Sequence, residues 1–587
     1  MATKPVNRAL SVYDSSYVRN YGVPDDPREK ALLRVSEYLR VLGLSDRMRV
    51  ATLAEQIVRG CEREGEVNAA SSVEAAQRRV TEFRRSVFGE DEAQVDALWF
   101  RTFVAAHPEA FLGDLDQARA AVQRFGDPFQ GRPPARQQFR EQAFARMAFP
   151  RWALGLLPSG LITVSATALL IRALSKDGLL PLEILWAVLF CMLCSLACIG
   201  LTTACIGFVK GRTQAKVRDP LERPLPRSAL LLPVYHESAE HVFAGVAAMR
   251  ESLARAPGGE AFEIFILSDS RDPEKAAEEE RAYRRVVALD EEGIPVFYRR
   301  RSRNERQKAG NLAEFFERFG HRYTYAVILD ADSLMRGDTL VEMVRRMEES
   351  PRLALLQAPL ALHRGETLFA RAQQFVASVC GPMFTRGLAV WAGAHGNYYG
   401  HNAVVRVGAF LECCALPILS GTPPLGGHIL SHDFVEAALL GRAGWEVRIA
   451  HDLEGSWEEL PATLTDFVAR DRRWCQGNLQ HLRIASSQGL HPMNRVHMLV
   501  GAFQYLAAPM WLAFVGVGAA LIERGSSVPP ALAWSLTGFA LGAQLLPRLL
   551  GLLENLRARD LRRAHGGALR LGLGVVLEAT LSLLLAP

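Results

Sequence analysis

Cysteine is sparse, with nine in 587 residues. That is too few and too scattered for a disulfide scaffold. A surplus of one charge is also missing: 68 Lys+Arg against 63 Asp+Glu leave a net +5, which does not point to a nucleic-acid binder. The opening Met-Ala-Thr-Lys-Pro lacks the apolar core of a signal peptide, and no lipidation motif is present. Polar, low-complexity composition is absent as well; 49% of residues are hydrophobic, which excludes a wholly disordered chain. Cys191, Cys194, Cys198 and Cys205 share one apolar run. Their C-x-x-C spacing would suit metal or redox chemistry, but no His or acid accompanies them, so they read as small residues packing in a membrane helix. Free thiols elsewhere fit a reducing cytoplasm.

What the chain does have is long runs without charge. Leu154–Ile171, Ile184–Val209 and Met498–Ile522 carry none, and Ala531–Leu553 is interrupted only by Arg548. Each is of a length to cross about 30 Å of hydrocarbon at about 1.5 Å per residue. A fifth run, Leu571–Ala586, is shorter and contains Glu578. Arg136, Arg140, Arg146 and Arg151 precede the first run; Lys210, Arg212, Lys216, Arg218, Arg223 and Arg227 follow the second; Arg557, Arg559, Arg562 and Arg563 follow the fourth. The turns between paired runs carry few charges. The positive-inside rule then places the N-terminus and residues 228–490 in the cytoplasm.

The organisation expected is a flexible stretch over residues 1–25, then a helical domain over 26–124. In that domain Leu32, Leu33, Val35, Tyr38, Leu39 and Leu42 recur at helical spacing, as do Val95, Leu98, Trp99 and Phe103. A Gly/Pro-rich linker, Phe125–Arg136, falls in 125–150. Two membrane helices occupy 151–210, a catalytic domain with interfacial helices 225–490, and further membrane helices, two full and one partial, 496–587.

Within 225–490, apolar runs alternate with helical patterns. The runs Ala229–Tyr235, Phe262–Leu267, Pro295–Tyr298, Tyr325–Leu329 and Leu353–Gln357 read as buried strands, so the fold class is α/β with a mainly parallel sheet covered on both faces. Ligands bind such sheets beyond the carboxyl ends of the strands. There the first strand ends in Tyr235-His236-Glu237, the second in Ser268-Asp269-Ser270 and the fourth in Asp330-Ala331-Asp332. Two carboxylates flanking one residue suit Mg²⁺ held jointly with phosphate oxygens; as a bare string they could equally be a solvated turn. The basic run Arg299–Asn311 opens a helix through Lys308-Ala309-Gly310-Asn311. A helix N-terminus and a lysine both suit a diphosphate, and the run lacks the interleaved aromatics of a nucleic-acid surface. Ser431-His432-Asp433 precedes a helix over Phe434–Leu440, where Asp433 reads as an N-cap, a catalytic base, or both. Arg470-Asp471-Arg472-Arg473-Trp474 reads as a basic amphipathic helix on the bilayer surface.

Together these residues resemble the family 2 processive glycosyltransferases, the cellulose-synthase-like membrane enzymes. The strings LPVYHES, LDADSLM, GHNAVVR, SHDFVEAALL and RDRRWCQGNLQH carry a closer likeness, over roughly residues 130–550, to the glucan glucosyltransferase H family. The resemblance implies a GT-A fold, a bacterial inner-membrane location, and transfer of glucose from UDP-glucose to a growing β-1,2-glucan of osmoregulated periplasmic glucans. It implies that Asp269 contacts the uridine base with Glu237 nearby, and that Lys308 and Asn311 contact the diphosphate region. Asp330 and Asp332 would hold Mg²⁺ or Mn²⁺, and Asp433 would be the general base. Arg470, Arg473 and Trp474 would hold diphosphate and acceptor sugar, and His401 and Asn402 would line the acceptor side. Acyl carrier protein and periplasmic glucan-modifying proteins are partners implied by family alone.

Two departures from the wider family stand out. Its Gln-x-x-Arg-Trp is here Arg470-x-x-Arg473-Trp474, and its Thr-Glu-Asp is Ser431-His432-Asp433. Both count against cellulose or chitin synthesis. Family members also continue with more membrane helices, so the end at Pro587 reads as a short or truncated chain. The competing readings are another β-glycan synthase of this class, a catalytically silent nucleotide-sugar sensor, and a membrane scaffold or transporter. An acceptor-side base beside a full donor site is what a sensor would not need.

Overall fold

The computed structural model describes part of residues 27–88 and nearly all of 151–585, with breaks at 176–177, 213–222, 290–292, 302–303, 305, 415, 417 and 526–528. The expected flexible stretch, the positions Leu33, Tyr38, Leu42 and Val95 to Phe103, and the linker Phe125–Arg136 lie outside the described residues. Two compact units emerge: Met1–Arg146 with Phe315–His321, and Met147–Glu314 with Arg322–Pro587. In the first, helices α1 (Arg47–Arg63) and α2 (Ala69–Phe88) pack together. Their apolar stripes, Leu53, Ile57, Val58 and Cys61 on one and Ala76, Val80 and Phe83 on the other, are buried, as amphipathic spacing requires.

The second unit opens with α3 (Trp152–Leu174) and α4 (Pro181–Lys210), a helical hairpin. An α/β domain follows, with strands β1 (Ser228–Val234), β2 (Phe262–Ser268), β3 (Val296–Arg300), β4 (Tyr325–Ile328), β5 (Leu334–Met335), β6 (Leu353–Gln357), β7 (Ala361–His363), β8 (Ala403–Arg406), β9 (Glu446–Ile449) and β10 (Ser456–Glu459). Its helices are α5 (Ala239–Arg255), α6 (Pro273–Ala288), α7 (Gln307–Phe319), α8 (Gly337–Glu349), α9 (Leu368–Ala392), α10 (Val407–Cys413), α11 (His432–Arg442) and α12 (Leu464–Ile484). The chain then returns to apolar helices α13 (Pro492–Glu523) and α14 (Pro530–Arg557), the short α15 (Arg559–Ala564), and α16 (Ala568–Leu585).

The main sheet has the order β3-β2-β1-β4-β8-β6-β9. All its strands run parallel except β8, which is antiparallel to both β4 and β6. The mainly parallel sheet expected is therefore present, and β8 and β9 join it where no strand was anticipated. Leu230, Leu232, Ile264, Ile266 and Val327 form one core with Val246, Met249 and Leu253 of α5 and Leu340, Val344 and Met347 of α8. Each such side chain contributes about 1.5–3 kcal/mol by leaving water. Local chemistry sets the helix starts: Ser238 caps α5, Asp272 with Pro273 opens α6, and Thr463 caps α12. A small second sheet, β5-β10-β7, lies in the same domain.

Five described helices are long and apolar enough to cross a membrane: α3, α4, α9, α13 and α14. Four coincide with the long apolar runs, three without charge and one interrupted only by Arg548. The fifth, α9, carries Arg371 and Arg386 and so is not a charge-free run. It leaves from β7 and returns to β8, and both strands belong to the α/β domain, so both its ends are tethered to that domain. Helix α9 lies against α3, α4, α14 and α16. Gly207 of α4 faces the Met383 carbonyl and Gly387 of α9 faces the Thr203 carbonyl, a reciprocal backbone contact with no room for a Cβ at either glycine. Arg386 pairs with Glu554 of α14, with side chains 3% and 13% exposed, and Trp391 Nε1 donates to Thr203 Oγ1 at 3.2 Å.

Candidate active site

Parallel strands bring all their carboxyl ends to one edge, and the predicted acids gather there. The antiparallel β8 contributes its opposite end: Ala403 pairs with Ile328 and with Gln357, so the loop 398–402 meets the same edge. Lys308, in the first turn of α7, joins the two. Its ammonium pairs with Asp330 and donates to the Gly400 carbonyl at 2.8 Å. Gly400 has φ of +88°, and a side chain there would stand 3.6 Å from Asp433 Oδ2. Asp330, Lys308, Gly400 and Asp433 are thus one continuous set of neighbours.

The two carboxyls of Asp330-x-Asp332 are driven apart. Burial would raise Asp330, but Lys308, His401 and Arg470 outweigh it and hold it at about 2. Burial and the adjacent Asp330 charge push Asp332 up to about 6. Among the described residues, no three of His, Cys, Asp and Glu are grouped to hold a cation by themselves. The pair of hard oxygen donors therefore fits a divalent ion that completes its shell with substrate phosphates and water, as Mg²⁺ prefers.

Asp433 is in the first turn of α11, and Ser431 holds the N-cap position, so the cap reading of Asp433 gives way. Burial raises its carboxyl above the usual range; His432 opposes this and Glu436 adds to it. His432 Nδ1 lies 3.0 Å from Glu436 Oε1. Helix α12 is fixed against this turn. His481 Nε2 donates to the Ser431 carbonyl at 2.9 Å, and Gly477 abuts Ser431. The Arg470 guanidinium lies 4.4 Å from the Trp474 ring centroid, and Trp474 stays 38% exposed. Asp471 accepts from Tyr505 of α13 at 3.2 Å, which ties the helix to the apolar bundle.

Other expected residues occupy supporting positions. Arg301 holds both oxygens of the buried Asp269. Asn311 is wholly buried; its amide donates to the Leu267 carbonyl at 2.9 Å and its oxygen accepts from Arg299. Glu237 turns back to the Tyr235 backbone N–H. Asn402 is buried and donates to Ser456 Oγ at 2.9 Å and the Trp457 carbonyl at 3.1 Å. Arg473 is exposed, and of the two arginines it is Arg470 whose charge acts on Asp330. His401 Nε2 sits 3.1 Å from Glu458 Oε2 and 3.9 Å from Asp330 Oδ2. Sequence reasoning passed over Gln357, Tyr398, Gly400 and Glu458. Gln357 stood at the end of an apolar run and Gly400 in a quoted string, but nothing in the Trp-Glu-Glu-Leu context of Glu458 signals chemistry.

The comparisons agree with this architecture. The description "Glycosyl transferase family 2" matches residues 230–413, and "Glycosyl transferase family group 2" matches 325–546. Glucans biosynthesis glucosyltransferase H of Xanthomonas oryzae pv. oryzae is 42% identical over 72% of this chain and 70% of its own length. The chain belongs to the glucans biosynthesis glucosyltransferase H family. A second member of that family, from Rhodopseudomonas palustris, is 40% identical over 74% of this chain and 64% of its own length; a third, from a Shewanella species, is matched over 59% of its length. The chain thus spans about three fifths to seven tenths of these relatives. Among solved structures, the mannosyltransferase PcManGT from Pyrobaculum calidifontis, in complex with GDP-Man and Mn²⁺, aligns over 68% of this chain and 98% of its own. The TM-score is 0.42 and the identity 15%. The family 2 match gives the domain its GT-A class.

Proposed function

We propose that this chain is an inner-membrane, inverting and processive glucosyltransferase. It moves glucose from UDP-glucose to a hydroxyl of a growing β-1,2-glucan of periplasmic glucans and feeds the product outward between its apolar helices. The reading rests first on one observation: Lys308 links the Asp330 carboxylate to Gly400, and Gly400 abuts Asp433. A lysine and a buried carboxylate thereby stand on two sides of a single glycine, which supports a reading of transfer between a diphosphate donor and a hydroxyl acceptor. The UDP-glucose donor, the linkage and the export step follow the family resemblance.

In this mechanism Asp433 takes the proton of the acceptor hydroxyl as that oxygen attacks the anomeric carbon. Its raised pKa brings it nearer the operating pH, where general bases work best, and such help is worth about 10²–10⁴-fold. Lys308 and Arg470 face the negative charge that develops on the departing diphosphate. Trp474 offers an apolar face to a sugar ring. Asp330 and Asp332 would hold a divalent ion, which would supply further neutralisation of the leaving group.

The test is incorporation of glucose from labelled UDP-glucose by the purified chain in lipid, with Mg²⁺ or Mn²⁺, followed by linkage analysis. A β-1,2 product that disappears with EDTA is expected. A β-1,4 product would discard the β-1,2-glucan reading while keeping the catalytic residues. Binding of UDP-glucose without polymer would move the chain to the sensor reading, and full activity in EDTA would remove the metal.

A further inference from the structure

The loop 398–402 is held by more hydrogen bonds than its length requires. Tyr398 OH donates to the Gly400 carbonyl at 2.9 Å, and Lys308 reaches the same oxygen at 2.8 Å. Gln357 accepts from the Tyr399 N–H at 2.9 Å and donates to the His401 carbonyl at 3.0 Å. Asn402, at φ of +50°, is bonded to β10 through Ser456 and Trp457. Such over-determination is how a strained backbone is kept in place. Its result is one side chain, His401, fixed beside Asp330 with its ring 12% exposed.

The ring itself is fixed by Glu458. Its Nε2 sits 3.1 Å from Glu458 Oε2, which assigns the Nε2 proton to that contact. The other ring nitrogen, Nδ1, is buried with no hydrogen-bond partner among the described residues. A buried polar atom left without a partner is rare and costly in a folded protein. One so close to the candidate site is best explained by a group that arrives from outside.

We infer that Glu458 is a positioning residue, which orients His401 so that Nδ1 receives a sugar hydroxyl. The donor glucose and the acceptor glucan are the two sources of that hydroxyl. The inference deepens the glucosyltransferase reading and rests on it. Because the contact is to the sugar, it is separable from recognition of the nucleotide and diphosphate.

The experiment compares Glu458→Ala, Glu458→Gln, His401→Ala and the double variant Glu458→Ala/His401→Ala as full chains in lipid nanodiscs. Calorimetry gives the Kd of UDP and of UDP-glucose, and kinetics give the KM for UDP-glucose and for a glucan oligosaccharide. Glu458→Ala is expected to weaken UDP-glucose binding, or raise the oligosaccharide KM, by about 3- to 10-fold, the worth of one hydrogen bond. UDP itself should bind within twofold of the parent. A change in the first measurement identifies the donor sugar, and a change in the second the acceptor. Glu458→Gln, which keeps an acceptor oxygen for Nε2, should recover most of the loss, and the double variant should be no worse than His401→Ala. Equal weakening of UDP and UDP-glucose, additive losses in the double variant, or no rescue by Gln would overturn the inference; the Gln comparison with parent stands even where the Ala variant does not fold. If the parent chain neither binds UDP-glucose nor turns it over, the proposed function fails before any variant is compared.

Discussion

Asp433 and Asp332 are both half-buried carboxylates pushed towards neutrality, and they are asked to do different things. Asp433→Asn keeps the shape of its turn and removes the proposed base. Glucose transfer should fall by at least about 10²-fold while UDP-glucose binding, by calorimetry, stays near the parent value; parallel loss of both would reject the assignment. Asp332 titrates near 6, above its ordinary range, so the folded chain retains a proton there that the unfolded chain releases. Its favourable contribution to stability is present at low pH and is lost as pH rises through about 6. Asp332→Asn should therefore raise the thermal midpoint at pH 7.5 while abolishing transfer. In the parent, activity should decline as pH falls below that value and the carboxyl becomes protonated. The strand-end acids were legible because buried parallel strands leave polar residues few places to be except the carboxyl edge. The burial of Asn311 and Asn402, and the pairing of Asp269 with Arg301, were not. Those depend on which way a side chain turns at the sheet edge, and spacing in a sequence carries no such information.

At the scale of elements, the strands that were legible are those with continuous apolar runs, such as Leu353–Gln357, recovered with its full bounds. The strands missed are short, and β8 runs against its neighbours, a property that arises from the path of α9 and not from local composition. The junction of α9 with the bundle depends on a buried ion pair. Removing one partner from such a pair typically costs about 3–5 kcal/mol, while replacing both can be neutral. Arg386→Met should lower the thermal midpoint markedly, and Arg386→Met/Glu554→Leu should restore most of it. Additive losses in differential scanning measurements would mean that the two side chains act separately.

For the whole molecule, the hairpin α3–α4 precedes the α/β domain, and α13 and α14 follow it, both packed on α4. Trp186 of α4 stacks on Phe514 of α13 and Arg557 of α14 lies over Phe208 of α4, so α13 runs against α4 and α14 runs along with it. In the inner-membrane reading proposed above, Leu179 and Arg524, at the far ends of these helices, would lie on the membrane face opposite the sheet. With single cysteines in a cysteine-free background, Leu179→Cys and Arg524→Cys should react with an impermeant maleimide in intact cells. Glu274→Cys, on α6, should react only after lysis. The reverse pattern would invert the proposed orientation.

The route of α9 has a practical outcome for anyone wishing to isolate the catalytic half. Its Val379, Cys380, Met383 and Trp391 are buried, with Leu571 and Val575 of α16 completing one of the clusters. Residues 225–490, expressed without the flanking helices, would bare that surface and leave Arg386 without Glu554. Such a fragment should be recovered in inclusion bodies or in detergent micelles rather than as a monodisperse soluble enzyme. Enzymology of this sheet has to be done with its apolar helices attached.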